Sequence, residues 1–187
     1  MNGGSEGNWL KVVMKNGTIK DKMSAAIVQI QKSAVHGLGA LEMNLLSKVN
    51  LKCRRLCYSA IEAIVTLLTT DLLIPDRKLT LFDKNPFHIL TELSETERDK
   101  TLFLWWFQHK LKQFYARFLE ALGDIDKDNI EKTRELVTQV YKQLLTANPE
   151  NEHILLTKLV SKLNDPLKKV SSEAFLALGG MIYFEFN

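Results

Sequence analysis

Four histidines, two cysteines, an aromatic cluster and several basic pairs are the residues of this 187-residue chain whose types could do chemistry. His36, His88, His109 and His153 fall in different predicted helices or turns. None has the His-Glu-x-x-His spacing that sets two imidazoles on one helical face around zinc. Cys53 and Cys57 would sit one turn apart on a helix, where a free thiol behaves as a small hydrophobe. A disulfide or zinc site needs partners the sequence lacks, so a reducing compartment is expected. Gly37-Leu38-Gly39 has neither the preceding strand nor the third glycine of a phosphate loop. Ser, His and Asp form no local triad. Carboxylates fall on solvated helix faces or at predicted N-caps, where the helix dipole accounts for them. The expectation is a protein without catalytic residues, cofactor or metal, and with no small-molecule substrate.

Binding residues are the remaining candidates. Seven of the sixteen aromatic residues lie between Phe103 and Phe118. Beside positive charge, such rings could stack on single-stranded nucleic acid. At helical spacing they read as a thick core contact between repeats, with Trp105 or Trp106 left partly exposed. Arg54, Arg55, Arg77 and Lys78 are the candidate contacts to RNA or a protein partner. Arg77 and Lys78 belong to a connector in which Pro75 fixes its own φ and pushes Ile74 away from helical geometry. Asp76 can then start a turn, and Pro75, Asp76 and Leu79 form a signature that is either structural or binding. Arg77 and Lys78 keep two readings: ties to neighbouring carboxylates or carbonyls, or a face for a partner.

Helices must position these residues. The chain is 45% hydrophobic and 25% charged with a net charge of +3, the balance of a soluble globular domain and too small for nucleic-acid binding on electrostatics alone. The longest apolar run, Leu102 to Phe107, is six residues, against about twenty for a membrane span. No secretory signal is read at the N-terminus, and no membrane contact is expected. Three- and four-residue apolar spacing predicts helices almost throughout. The first runs from Trp9 to Asn16-Gly17. Thr18 caps the second with Asp21, and a third follows Gly37. Cys53, Leu56, Cys57, Ala60, Ile61, Ile64, Leu67 and Leu68 mark the core face of a fourth. A short helix near Leu79 to Phe82 is possible within the connector.

Ser94 and Glu97 form a capping box for a long helix that Gly123 should end. Asp128 with Glu131 caps the next, through Leu145. Another covers Ile154 to Leu163, and Asp165 caps a last one with Pro166 at its first position. Helix pairs with short connections and no strand pattern imply an all-α, HEAT-like or armadillo-type solenoid of about eight to ten helices, without significant sheet. The expected organisation is a disordered tail at 1–7, a repeat domain at 8–178 and an atypical apolar tail at 179–187. Gly179 and Gly180 should stop the last helix.

Three stretches are more specific. Gly17-Thr18-Ile19-Lys20-Asp21-Lys22-Met23-Ser24-Ala25, then Ser33-Ala34-Val35-His36, and above all Leu73-Ile74-Pro75-Asp76-Arg77-Lys78-Leu79 resemble the CCAAT-binding-factor family of nucleolar ribosome-assembly proteins. The later segments Leu111 to Leu122 and Leu159 to Val170 are similar in order and spacing. The resemblance spans residues 9 to 175 and corresponds to the N-terminal part of a longer architecture. It implies a nuclear and nucleolar scaffold assembling the large (60S) subunit, working with a nucleolar-complex assembly factor on pre-ribosomal RNA particles, with a possible CCAAT-linked role in transcription. Generic HEAT-type adaptor outside the nucleolus, and direct RNA- or DNA-binding module, are the other readings. Leu178 to Asn187, with Gly179 and Gly180 in mid-helix and then aromatics, depart from the family pattern, which suggests a truncated or alternative ending.

Overall fold

The computed structural model describes the backbone of residues 3–185 and the side chains of residues 9–180. Among the described residues eight α-helices follow one another: α1 Gly3–Asn16, α2 Ile19–Lys32, α3 Ala34–Asn44, α4 Arg54–Leu67, α5 Glu95–Ile125, α6 Glu131–Ala147, α7 Glu152–Lys162 and α8 Lys168–Glu185. No strand occurs among the described residues. The fold is an all-α, solenoid-like stack.

Two local signals set helix starts where the sequence places them. The Thr18 hydroxyl accepts from the Asp21 N–H at 3.3 Å, and the Asp21 carboxylate accepts from the Thr18 N–H at 2.9 Å. Ser94 and Glu97 repeat the box ahead of α5, with the Ser94 N–H donating to Glu97 at 3.1 Å. Each box satisfies donors the helix itself leaves open. Asn148 ends α6 as its Asn-Pro sequence predicts.

Successive helices pack on one another. α2 lies on α1 and α3, while α6, α7 and α8 form a mutual trio. α4 and α5 both reach α6, and α5 also touches α3. The core they enclose is continuous, and its largest fully buried members include Ile61, Ile64, Leu111, Phe114, Tyr115, Phe118 and Tyr141. The aromatic run is therefore mostly core. Trp105 is buried, whereas Phe103 and Trp106 remain 47% and 43% exposed and stack on each other at 5.9 Å.

Several expectations are corrected. Helix α1 begins at Gly3, six residues before Trp9. Gly37 lies inside α3, where a Cβ would sit 2.8 Å from Ile30, so this glycine serves the α2–α3 crossing. Gly123 does not end α5, which runs on to Ile125. A Cβ there would stand 3.3 Å from the Lys158 ammonium nitrogen, so the bare backbone lets Lys158 lie across α5. Likewise α8 runs through Gly179 and Gly180, past the boundary expected at 178. Each costs a helix about 1 kcal/mol, which the surrounding helix formers absorb. The side chains of the apolar end, Met181 to Asn187, lie outside the described residues.

Other starts shift by a few residues. Ile130, not Asp128, is the N-cap of α6, because the Asp128 carboxylate is committed to a long-range pair described below. Pro166 precedes α8 by two positions, while the Asp165 carboxylate accepts from the Leu167 N–H at 2.9 Å. The short helix expected near Leu79 appears as 3-10 turns at Phe82–Lys84 and Phe87–Thr91. Leu104, Val160 and Phe175, though on the apolar periodicity of their helices, are 52%, 52% and 68% exposed.

Cys53 is corrected as well. It is the N-cap of α4 and exposed, while Cys57 is buried, and burial pushes the Cys57 thiol above its ordinary value. The thiolate is the reactive form, so a buried thiol with a raised pKa reacts slowly. A thiol-specific chromophoric disulfide is expected to label Cys53 promptly in the native protein and Cys57 only on denaturation. Equal native rates at both would show that the α4 face opens.

Candidate functional site

The connector from Leu73 to Leu79 leaves α4 through a π-helical turn, Leu68–Leu72, closed by the Leu73 N–H donating to the Leu68 carbonyl at 3.1 Å. Residues 73–81 have no helix of their own, so their backbone groups need partners elsewhere. The α6–α7 turn and α5 supply them. The Asn148 amide, 3% exposed, donates to the Ile74 carbonyl at 2.6 Å and to that of Arg77 at 3.4 Å. Its oxygen accepts from the Glu150 N–H at 2.8 Å.

Glu150 completes the clamp. Its side chain is 1% exposed; one oxygen accepts from the Leu79 N–H at 2.7 Å and the other from the Lys112 ammonium at 2.6 Å. Lys112 also donates to the Leu79 carbonyl at 3.0 Å. Both backbone groups of Leu79 are thereby satisfied, and the buried carboxylate has a charged partner and two hydrogen bonds. Burial, reinforced by the Glu150 charge, pushes the Tyr115 hydroxyl above its ordinary value. Asp76 and Asn151 have positive φ, 58° and 55°, where Asp and Asn are among the few non-glycine types tolerated.

Around this clamp the predicted contacts diverge. Pro75, Asp76 and the Arg77 and Lys78 side chains are solvent-facing, with Leu79 half-buried. Lys78 lies 3.7 Å from Glu152, and the Arg77 side chain has no hydrogen bond or ion pair among the described residues. Arg54 and Arg55 stand apart from the connector, at the start of α4. The Arg54 guanidinium donates twice to the Asp128 carboxylate, each at 3.3 Å. Asp128 also accepts from the Thr133 hydroxyl at 2.8 Å, and that hydroxyl takes a hydrogen bond from Tyr58 at 2.6 Å. The Arg54 hydrogen bond holds the Asp128 carboxyl below the usual carboxylate range. Arg54 therefore ties α4 to the α5–α6 turn, and Arg55 remains a surface cation.

Sequence reasoning missed Asn148, Glu150 and Lys112. Nothing local to Asn148-Pro149-Glu150 distinguishes a buried carboxylate from a solvated one. The available signal was the connector itself, whose non-helical backbone demanded partners. Among the described residues, no three His, Cys, Asp or Glu side chains gather as metal ligands, and no helix is long and apolar enough to cross a membrane.

No protein-family model matches the chain. Individual relatives do. Human "CCAAT/enhancer-binding protein zeta" is 37% identical over 176 residues, 91% of this chain and 16% of that protein. The "Ribosome biogenesis protein NOC1" of Chaetomium thermophilum is 32% identical over 180 residues, 89% of this chain and 17% of that protein. "Nucleolar complex protein 1" of Drosophila melanogaster is 27% identical over 176 residues, 91% of this chain and 15% of its own length. The chain thus spans about one sixth of the length of these relatives, and over that shared segment it is homologous to the CCAAT-binding-factor and nucleolar-complex family.

Proposed function

We propose that this chain is a non-enzymatic helical scaffold in nucleolar ribosome assembly, acting on the large (60S) subunit. The observation that carries the reading is the similarity across nine-tenths of the chain to proteins named for the nucleolar complex and for ribosome biogenesis. Its partners are a nucleolar-complex assembly factor and the pre-ribosomal RNA particle, in the nucleolus of the nucleus. A stack of helices with a continuous core and wide exposed faces suits such docking. Internal pairing of Arg54 with Asp128 leaves less free positive charge for RNA and favours protein contacts.

Tagged purification from cells, followed by gradient sedimentation, tests this. Co-migration with pre-60S particles and recovery of a nucleolar-complex protein are expected. A chain that stays in light fractions and accumulates in the cytoplasm would favour an adaptor outside the nucleolus.

A further inference from the structure

Leu104, Leu111 and Phe118 are seven residues apart and fall on one stripe of α5. Leu111 and Phe118 are fully buried, yet Leu104 is 52% exposed. The core face of α5 is therefore uncovered at its first rung. A cavity of about 70 Å³ opens there against the connector. It reaches the buried Leu72 and Leu111, with the exposed Ile74 and Leu104 as apolar walls. An apolar cavity of about 150 Å³ accommodates benzene, so this one takes three or four carbons, the tip of a single aliphatic side chain.

Two further observations describe the occupant. The charged residues lining the cavity are Arg77 and Lys78, and no carboxylate lines it. Gln108 also lines it, and its amide has no hydrogen-bond partner within the chain among the described residues but keeps access to water. That amide can exchange its water for a polar partner supplied from outside. An amide pairs well with a peptide backbone, which offers both a donor and an acceptor.

We propose that this cavity docks a partner-protein segment in which a leucine-like side chain is flanked by carboxylates. The aliphatic group fills the space over Leu111, Gln108 pairs with the segment's backbone, and Arg77 and Lys78 meet the carboxylates. This surface stands on the geometry of the connector and is independent of where in the cell the chain works.

The test is an NMR titration of the 15N-labelled full chain with a capped dodecapeptide carrying one central leucine among Glu and Asp residues. Saturable shifts confined to Leu104, Gln108, Leu111 and the connector are expected. Leu104→Lys, at an exposed position that leaves the melting temperature unchanged, should weaken binding about tenfold or more. Arg77→Glu, whose side chain has no partner to lose, should move the preference to a Lys-flanked version of the peptide. The proposal is overturned by no saturable shift up to about 1 mM peptide, or by equal binding of a peptide with serine in place of leucine. It is equally overturned if a 12-nucleotide oligouridylate shifts these residues and the peptide does not.

Discussion

Glu150→Ala is expected to lower the free energy of unfolding by about 3 kcal/mol, the range found when one partner of a buried ion pair is removed. Three groups lose their partner at once. The Leu79 N–H is left without an acceptor, the Lys112 ammonium keeps only the Leu79 carbonyl, and the Asn148–Glu150 turn loses the anchor holding it to the connector. Lys112 is 28% exposed and recovers some water, which keeps the cost at the low end. For a domain of this size the change corresponds to a fall in melting temperature of roughly 6–12 °C.

Glu150→Gln separates the charge from the hydrogen bond. Glutamine retains an acceptor for the Leu79 N–H but gives Lys112 no counter-charge, so a loss of about half that of alanine is expected. Chemical denaturation of the three proteins, with native helicity checked by circular dichroism, decides the matter. Alanine and wild type with the same denaturation midpoint would mean that the connector is held by its apolar contacts alone. A glutamine variant as damaged as alanine would place the whole effect in the ion pair.

Helix starts and apolar stripes were legible in the sequence because each depends on residues three or four apart. The Thr18–Asp21 and Ser94–Glu97 boxes and the buried face of Ile61, Ile64 and Leu68 are of this kind. Glycines misled where tertiary packing overrides intrinsic propensity: Gly37, Gly123, Gly179 and Gly180 all lie within helices. The site was half legible. Pro75 to Leu79 stood out as a connector, but its clamp comes from residues 33 to 74 positions away, which no local pattern encodes. The same distance hid the pairing of Arg54 with Asp128, which turned an apparent surface cation into a brace between α4 and the α5–α6 turn. Exposure of Leu104 went unread for the opposite reason, since periodicity marks the stripe but not where its cover ends.

Asp165→Ala should be at least as costly as the loss of Glu150, about 3–5 kcal/mol at neutral pH. Asp165, 4% exposed, lies in the turn before α8 and accepts from Arg134 of α6, with Nε 3.1 Å from Oδ2 and a second guanidinium nitrogen on Oδ1. Lys162 of α7 is 3.8 Å from the same carboxylate and contacts Asp126, just after α5. Lys162 thus bridges two largely buried carboxylates, one of which also holds Arg134. Deleting Asp165 leaves Arg134 without a carboxylate, leaves Lys162 with Asp126 alone and removes the Leu167 N–H acceptor. Burial raises the Asp165 pKa, but the hydrogen bonds from Arg134 and Leu167 and the charges of Arg134 and Lys162 outweigh it, so the folded value lies below the usual one. A carboxyl depressed on folding contributes stability that is complete above its unfolded pKa of about 3.9 and is lost as the pH falls through the lower folded value. Wild type should therefore lose part of its stability as the pH falls below about 4, and Asp165→Asn, which keeps the shape without the titration, should lose less over that interval. Urea midpoints at about pH 7, 5 and 3 measure both effects. An Asp165→Asn protein whose stability falls as steeply with acid as wild type would remove this carboxylate from the acid response.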